Sequence, residues 1–138
     1  MQTFLPYSDY QLSADVLDMR RLGKQRVEAL QLLRGHWPNH PASKMWRNHK
    51  ESLALYGVTI CERWISFGYK DTCLQKILDE VPYLDLEKDP IEHPSWLGDP
   101  DFHLSHQSNL LRKNFQFYSR FFRGVSDDLP YIWPIEEF

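Results

Sequence analysis

Residues 13–34 read Ser-Ala-Asp-Val-Leu-Asp-Met-Arg-Arg-Leu-Gly-Lys-Gln-Arg-Val-Glu-Ala-Leu-Gln-Leu-Leu-Arg. Val16, Met19, Val27, Leu30 and Leu33 fall on one stripe at helical spacing, so the stretch predicts a single amphipathic helix. Ser13 is placed to cap its start, and Gly35, followed by Pro38, to stop it. Gly23 interrupts the pattern at a cost of about 1 kcal/mol relative to Ala. Such a glycine points to close approach by some other group.

Helical periodicity continues outward from this stretch. Pro41 is a favoured first-turn residue, with Asn39 or His40 at the cap. The stripe Ala42, Trp46, His49, Leu53 and Tyr56 either ends at Gly57 or runs on through Ile60, Trp64 and Phe67 to Gly68. A short helix over 72–80 is ended by Pro82, and the four prolines of 81–100 predict an ordered but irregular excursion. Helix returns over 102–113, the aromatic run 115–122 closes the core, and 129–138 forms an extended strap carrying Trp133. No alternating strand pattern and no internal repeat is present. The expectation is an all-α single-domain bundle of about four to five helices.

The chain of 138 residues is one domain's worth, taken as 1–138. With 42% apolar and 25% charged residues it is globular in composition, and 14% aromatics supply anchors for packing or stacking. No apolar run reaches membrane-spanning length and no leader pattern opens the sequence, so no membrane partner and a cytoplasmic location are expected. Cys61 and Cys73 stand in no metal-ligand spacing and read as reduced core thiols. Neither a metal nor a cofactor is expected.

The net charge of −3 speaks against a nucleic-acid partner only as an average. Residues 77–101 hold eight acids and one base, Lys88, and the last thirteen residues add four acids. Removing those 12 acids and one base from totals of 19 and 16 leaves 7 acids against 15 bases. The remainder can therefore present a basic face.

Three polar clusters are candidates for chemistry. In the first, Arg20 and Lys24 share one helix face, and Arg21, Gln25 and Glu28 another; with Arg26 they could face phosphates, or form a solvated face with a Lys24–Glu28 pair. In the second, His40 sits at a helix start, Lys44 and Arg47 are candidate phosphate contacts, and His49 and Trp46 read as core. In the third, which runs from His103 to Lys113, the row Ser105, Gln107, Ser108 and Asn109 followed by Arg112 and Lys113 suits contacts to sugar-phosphate or a base edge, or a helix start rich in capping groups. A metal held by His93, His103 and His106 lacks any recognised spacing.

The order of these clusters resembles the phage-type pyrimidine-dimer DNA glycosylase (endonuclease V type) family over nearly the whole chain. The resemblance rests on Met1 to Pro6 leading into Arg20-Arg21-Leu22-Gly23-Lys24, a His40-headed helix ending at Gly68-Tyr69, a proline-bearing connector, and Ser105 to Lys113 followed by Tyr118. It is closest to a bacterial and phage branch with strings like Leu-Gly-Lys-Gln-Arg-Val-Glu, Asn-His-Pro-Ala and Ser-Asn-Leu-Leu-Arg-Lys.

The resemblance implies a DNA repair glycosylase with associated lyase activity. A terminal α-amine attacks C1′ of the damaged pyrimidine nucleotide, displaces the base and forms an imine, and β-elimination cuts the strand. An α-amine with a pKa near 8 is neutral at working pH more readily than a lysine near 10.4. The family exposes its amine on a small residue after Met removal, whereas here Gln2 is large, so the implied nucleophile is the Met1 amine, or Lys24 as second choice. The family's glutamate aligns with Arg21, and Glu28 is the carboxylate that takes its place. Arg20, Arg21, Lys24, Arg26 and Arg47 then contact phosphates of duplex DNA, with Gln25, Lys44, Asn109, Arg112 and Lys113 adding contacts, while His40, His106 and Gln107 line the pocket. The alternatives are a relative without lyase activity that binds nucleic acid or processes a modified nucleotide, and a helical interaction protein.

Overall fold

A computed structural model describes residues 1–135. Among them are seven helices and no strand: α1 (Tyr10–Val16), α2 (Met19–Leu33), α3 (Pro41–Met45), α4 (Lys50–Ser66), α5 (Cys73–Glu80), α6 (Pro100–Lys113) and α7 (Phe115–Tyr118). The all-α expectation holds, with more and shorter helices than periodicity predicts.

The first expected helix is two. Asp18 breaks it, because its backbone N–H donates to the Tyr118 hydroxyl at 3.0 Å while its carboxylate accepts from that hydroxyl and from Arg21. Asp9, not Ser13, caps α1 through a 3.1 Å bond from the Leu12 N–H. Ser13 is buried inside α1, bonded to both backbone groups of Tyr7. The second expected helix also divides, at Asn48, whose φ of 68° is a left-handed stop. His49 becomes the N-cap of α4 and is half-buried rather than core. Past Gly57, α4 runs on unbroken.

Helices α2 and α4 pack together at two glycines. A Cβ on Gly57 would meet Ala29 Cβ at 3.1 Å and Ile77 Cδ1 at 2.9 Å, and one on Gly23 would meet the Trp64 ring at 3.1 Å. The close approach expected at Gly23 is therefore made by the protein's own indole. Val27, placed on the apolar stripe by periodicity, is 43% exposed, whereas Leu30 and Leu33 of that stripe are buried together with Leu22, Gln25, Ala29 and Leu32. Cys61 and Cys73 are buried free thiols, and burial pushes Cys61 upward.

Helix α6 carries its polar row inward. Its Ser105, His106, Ser108 and Asn109 are buried, and they hold the two ends of the described chain. Toward the C-terminus, Ser108 Oγ accepts from Leu129 N–H at 2.9 Å and Ser105 Oγ from Ile132 N–H at 3.3 Å. Asn109 and Arg112 both donate to the Leu129 carbonyl. Residues 129–135 lie extended across the surface as expected; Glu136, Glu137 and Phe138 lie outside the described residues. Of the aromatic run, Tyr118 and Phe122 close the core while Phe115 and Phe121 stay exposed.

Candidate active site

The amino-terminal segment is threaded through the interior on side-chain hydrogen bonds. Gln2, Thr3, Phe4, Leu5 and Pro6 are buried without belonging to a helix, so their backbone groups need partners from elsewhere. Gln25 of α2 supplies most of them. Its Oε1 accepts the Phe4 N–H at 2.9 Å and the Tyr56 hydroxyl, and its Nε2 donates to the Gln2 carbonyl and to Glu28 Oε2, each at 2.7 Å. All four hydrogen-bonding positions of the amide are used. Trp46 donates its indole N–H to Thr3 Oγ1 at 3.0 Å. From α6, His106 Nδ1 accepts the Leu5 N–H at 2.9 Å, the Leu5 carbonyl accepts from His103 Nδ1 at 2.8 Å, and the Pro6 carbonyl from Gln107 at 2.8 Å.

This threading delivers Met1 to a cleft of about 350 Å³ lined by Met1, Gln2, Phe4, Arg20, Arg21, Lys24, Glu28, Lys113 and Tyr131. Four of the liners are cations and Glu28 is the single acid, so the cleft suits a polyanion. No acid of the 77–101 connector lines it. Burial raises the Glu28 carboxyl above its ordinary range, while the Met1 ammonium, the Gln2 N–H, Lys24 and Gln25 pull it back without cancelling the effect. At the rim, His40 caps α3 by accepting the Ala42 N–H at 3.0 Å and packs edge-on to Trp133. Burial and the Met1 ammonium hold its imidazole low.

The sequence profile of the pyrimidine dimer DNA glycosylase family matches residues 1–77. The chain belongs to the pyrimidine dimer DNA glycosylase family. That membership makes it a DNA repair glycosylase, with DNA as the substrate. No curated protein and no solved structure gives a significant match. The matched stretch contains Met1, the α2 face and all of α4, whereas the cleft is completed by Lys113 and Tyr131 from beyond it.

The expected site residues separate into three groups. Met1, Arg20, Arg21, Lys24, Glu28 and Lys113 come together in the cleft. His40 stands at its rim, with the exposed Arg47 and half-buried Lys44 farther along the same loop and helix. Arg47 lines a separate pocket with Trp46 and Leu53 and donates to the Pro38 carbonyl at 3.3 Å.

Six of the expected contact residues are engaged within the protein. Gln25 and His106 are 1% and 0% exposed, and both hold the amino-terminal segment. Asn109 and Arg112 are committed to the carboxy-terminal strap. Arg26 is paired with Asp71 at 2.5 Å and stacked over Trp64 at 4.4 Å, and this pair, with the Leu74 and Cys73 N–H groups, holds Asp71 low despite its burial. Gln107 is half-buried and holds Pro6. His103 bonds Leu5 and Gly98 through its two ring nitrogens, and His93 meets Ser52 at 2.7 Å instead of joining it.

Sequence reading missed Tyr131, which walls the cleft from the strap and packs edge-on to His106. Its hydroxyl is buried without a partner among the described residues, and burial pushes it up to about 12. An aromatic tail carries no periodic signal that would assign it to a site.

Proposed function

We propose that the protein cleaves the glycosidic bond of damaged or modified pyrimidine nucleotides in DNA and then cuts the strand as a lyase, using the α-amine of Met1. The amine nitrogen bonds to C1′ as the C1′–base bond breaks and the base leaves with the bonding pair. Opening of the sugar ring gives an imine, and loss of a C2′ proton expels the 3′ phosphate by β-elimination. Glu28 stabilises the cationic sugar and carries the protons, a role suited to a carboxyl raised by burial. Arg20, Arg21, Lys24 and Lys113 hold the phosphates, with Lys44 and Arg47 beyond the rim.

The observation that carries this reading is the Gln25 bridge, which fixes Gln2 and Glu28 to one amide and so sets Met1 beside the carboxylate. Lys24 lines the same cleft and is the second amine within it. The test is borohydride trapping on ultraviolet-irradiated and abasic duplexes, with intact mass identifying the terminal residue. The expected result is a covalent adduct that disappears when the α-amine is acetylated. An adduct that survives acetylation moves the role to Lys24, and no adduct on either duplex ends the lyase reading.

A further inference from the structure

Trp37 is set apart from the other tryptophans. Trp46, Trp64 and Trp96 each donate the indole N–H to a protein acceptor, and Trp133 packs on His40 and Tyr131. Trp37 has no such bond and no ring neighbour among the described residues, and its side chain is 59% exposed. Its φ of 56° lies in the left-handed region, which bulky residues avoid.

The loop that holds it there is tied down. The His36 carbonyl accepts from Ser43 Oγ at 3.2 Å, the Trp37 carbonyl from the His40 N–H at 3.0 Å, and the Pro38 carbonyl from Arg47 at 3.3 Å. A strained, well-bonded loop presenting an unpartnered indole to water gains nothing for the free protein; such conformations are retained where a ligand uses them.

Charge and position say what that ligand is. Residues 29–50 contain no Asp or Glu. Arg34 pairs with Glu80, while Lys44, Arg47 and Lys50 make no ion pair among the described residues. Three residues on from Trp37, His40 packs edge-on to Trp133, which packs on the cleft-lining Tyr131, so the loop adjoins the cleft.

We propose that Trp37 is a stacking wedge, resting on the reading that the cleft acts on duplex DNA. With the duplex over the cleft, the indole enters the base stack beside the nucleotide drawn toward Met1, and Lys44, Arg47 and Lys50 hold the adjoining phosphates. Taking a nucleotide out of a duplex leaves a gap that costs stacking, and an aromatic ring filling it restores part of that loss. A rigid loop presents the ring without an ordering cost at binding.

The test compares wild type, Trp37→Ala and Trp37→Phe on an abasic duplex and on the same abasic strand alone, reading affinity by anisotropy and adduct formation by borohydride trapping. Trp37→Ala is expected to bind the abasic duplex about tenfold or more weakly, the loss of one base–aromatic stack, and to trap it correspondingly more slowly. Trapping of the single strand stays at the wild-type rate, and Trp37→Phe recovers most of the duplex affinity. Equal behaviour of Trp37→Ala and wild type on the duplex overturns the wedge while leaving the cleft reading intact. An equal loss on duplex and single strand also overturns it. A wild-type protein that traps neither substrate overturns both.

Discussion

Nε2 of Gln25 lies 2.7 Å from Oε2 of Glu28, and the same amide nitrogen donates to the Gln2 carbonyl. One buried side chain thus holds the start of the chain and the carboxylate of the cleft in fixed relation. Replacing Gln25 with Ala orphans the Phe4 N–H and the Gln2 carbonyl, while the Tyr56 hydroxyl keeps the Phe4 carbonyl at 3.1 Å. The expected cost is about 3 kcal/mol or more by urea denaturation, since each buried orphan costs about 1–3 kcal/mol. Adduct formation should fall with it even where the variant is fully folded, because Met1 loses its anchor.

Glu28→Gln keeps an oxygen for the Gln25 amide and removes the charge. Adduct formation on an abasic duplex is expected to drop by about 10²–10⁴, the usual worth of a positioned proton-transfer group. Its effect on stability has the opposite sign. The folded state raises the Glu28 pKa, so the fold favours the protonated acid, and this residue's contribution falls as pH rises through the folded value. The variant should therefore match or exceed wild type in melting temperature near pH 8. A variant that melts lower there, or that traps DNA at the wild-type rate, contradicts the assignment.

The His106 imidazole is pushed down to about 3 by burial, with His103 adding to the effect. Its folded value lies below the unfolded one near 6.5, so its neutral form stabilises the fold above that value, and the contribution is lost as pH falls toward 3. By pH 5 the loss amounts to about 2 kcal/mol, read as a fall in the urea midpoint between pH 7.5 and 5. His106→Asn, whose side-chain oxygen can still accept the Leu5 N–H, should lose most of this dependence. A pH profile unchanged by the substitution would place the sensitivity elsewhere.

Gly57→Ala tests the crossing of α2 and α4. The added methyl meets the Ala29 Cβ, which cannot swing aside, and the Ile77 Cδ1, which can. A gain of about 1 kcal/mol in helix propensity is set against about 1–3 kcal/mol of overpacking, for a net loss near 1 kcal/mol. Adding Ile77→Val, which removes the Cδ1 atom, should recover part of it in thermal melts.

Helix identity was legible wherever the chain carries its own stop signal. Gly68 with φ 87° ends α4 and Thr72 precedes α5, both as the sequence indicates. The breaks at Asp18 and Asn48 were not legible as breaks. The first depends on Tyr118, one hundred positions away, and periodicity cannot see a tertiary hydrogen bond. Spacing places Arg20 and Lys24 on one face of the helix and Arg21 and Glu28 on another, and all four line one cleft. The polar row of α6 carries no local sign of its partners, which are backbone groups near the two ends of the described chain. Gln25 is alike: a glutamine among arginines looks solvent-facing until its four partners are known.

The anchoring of Leu5 and Pro6 by His103, His106 and Gln107 also fixes when the cleft can exist. Leu5 and Pro6 are seated by side chains about one hundred positions away in sequence, a non-local closure of the kind that slows folding. A nascent chain that has emerged only through α5 holds Met1 and Glu28 but lacks the α6 anchors for the amino-terminal segment. The cleft is thus assembled only once α6 has packed on the segment that carries Met1.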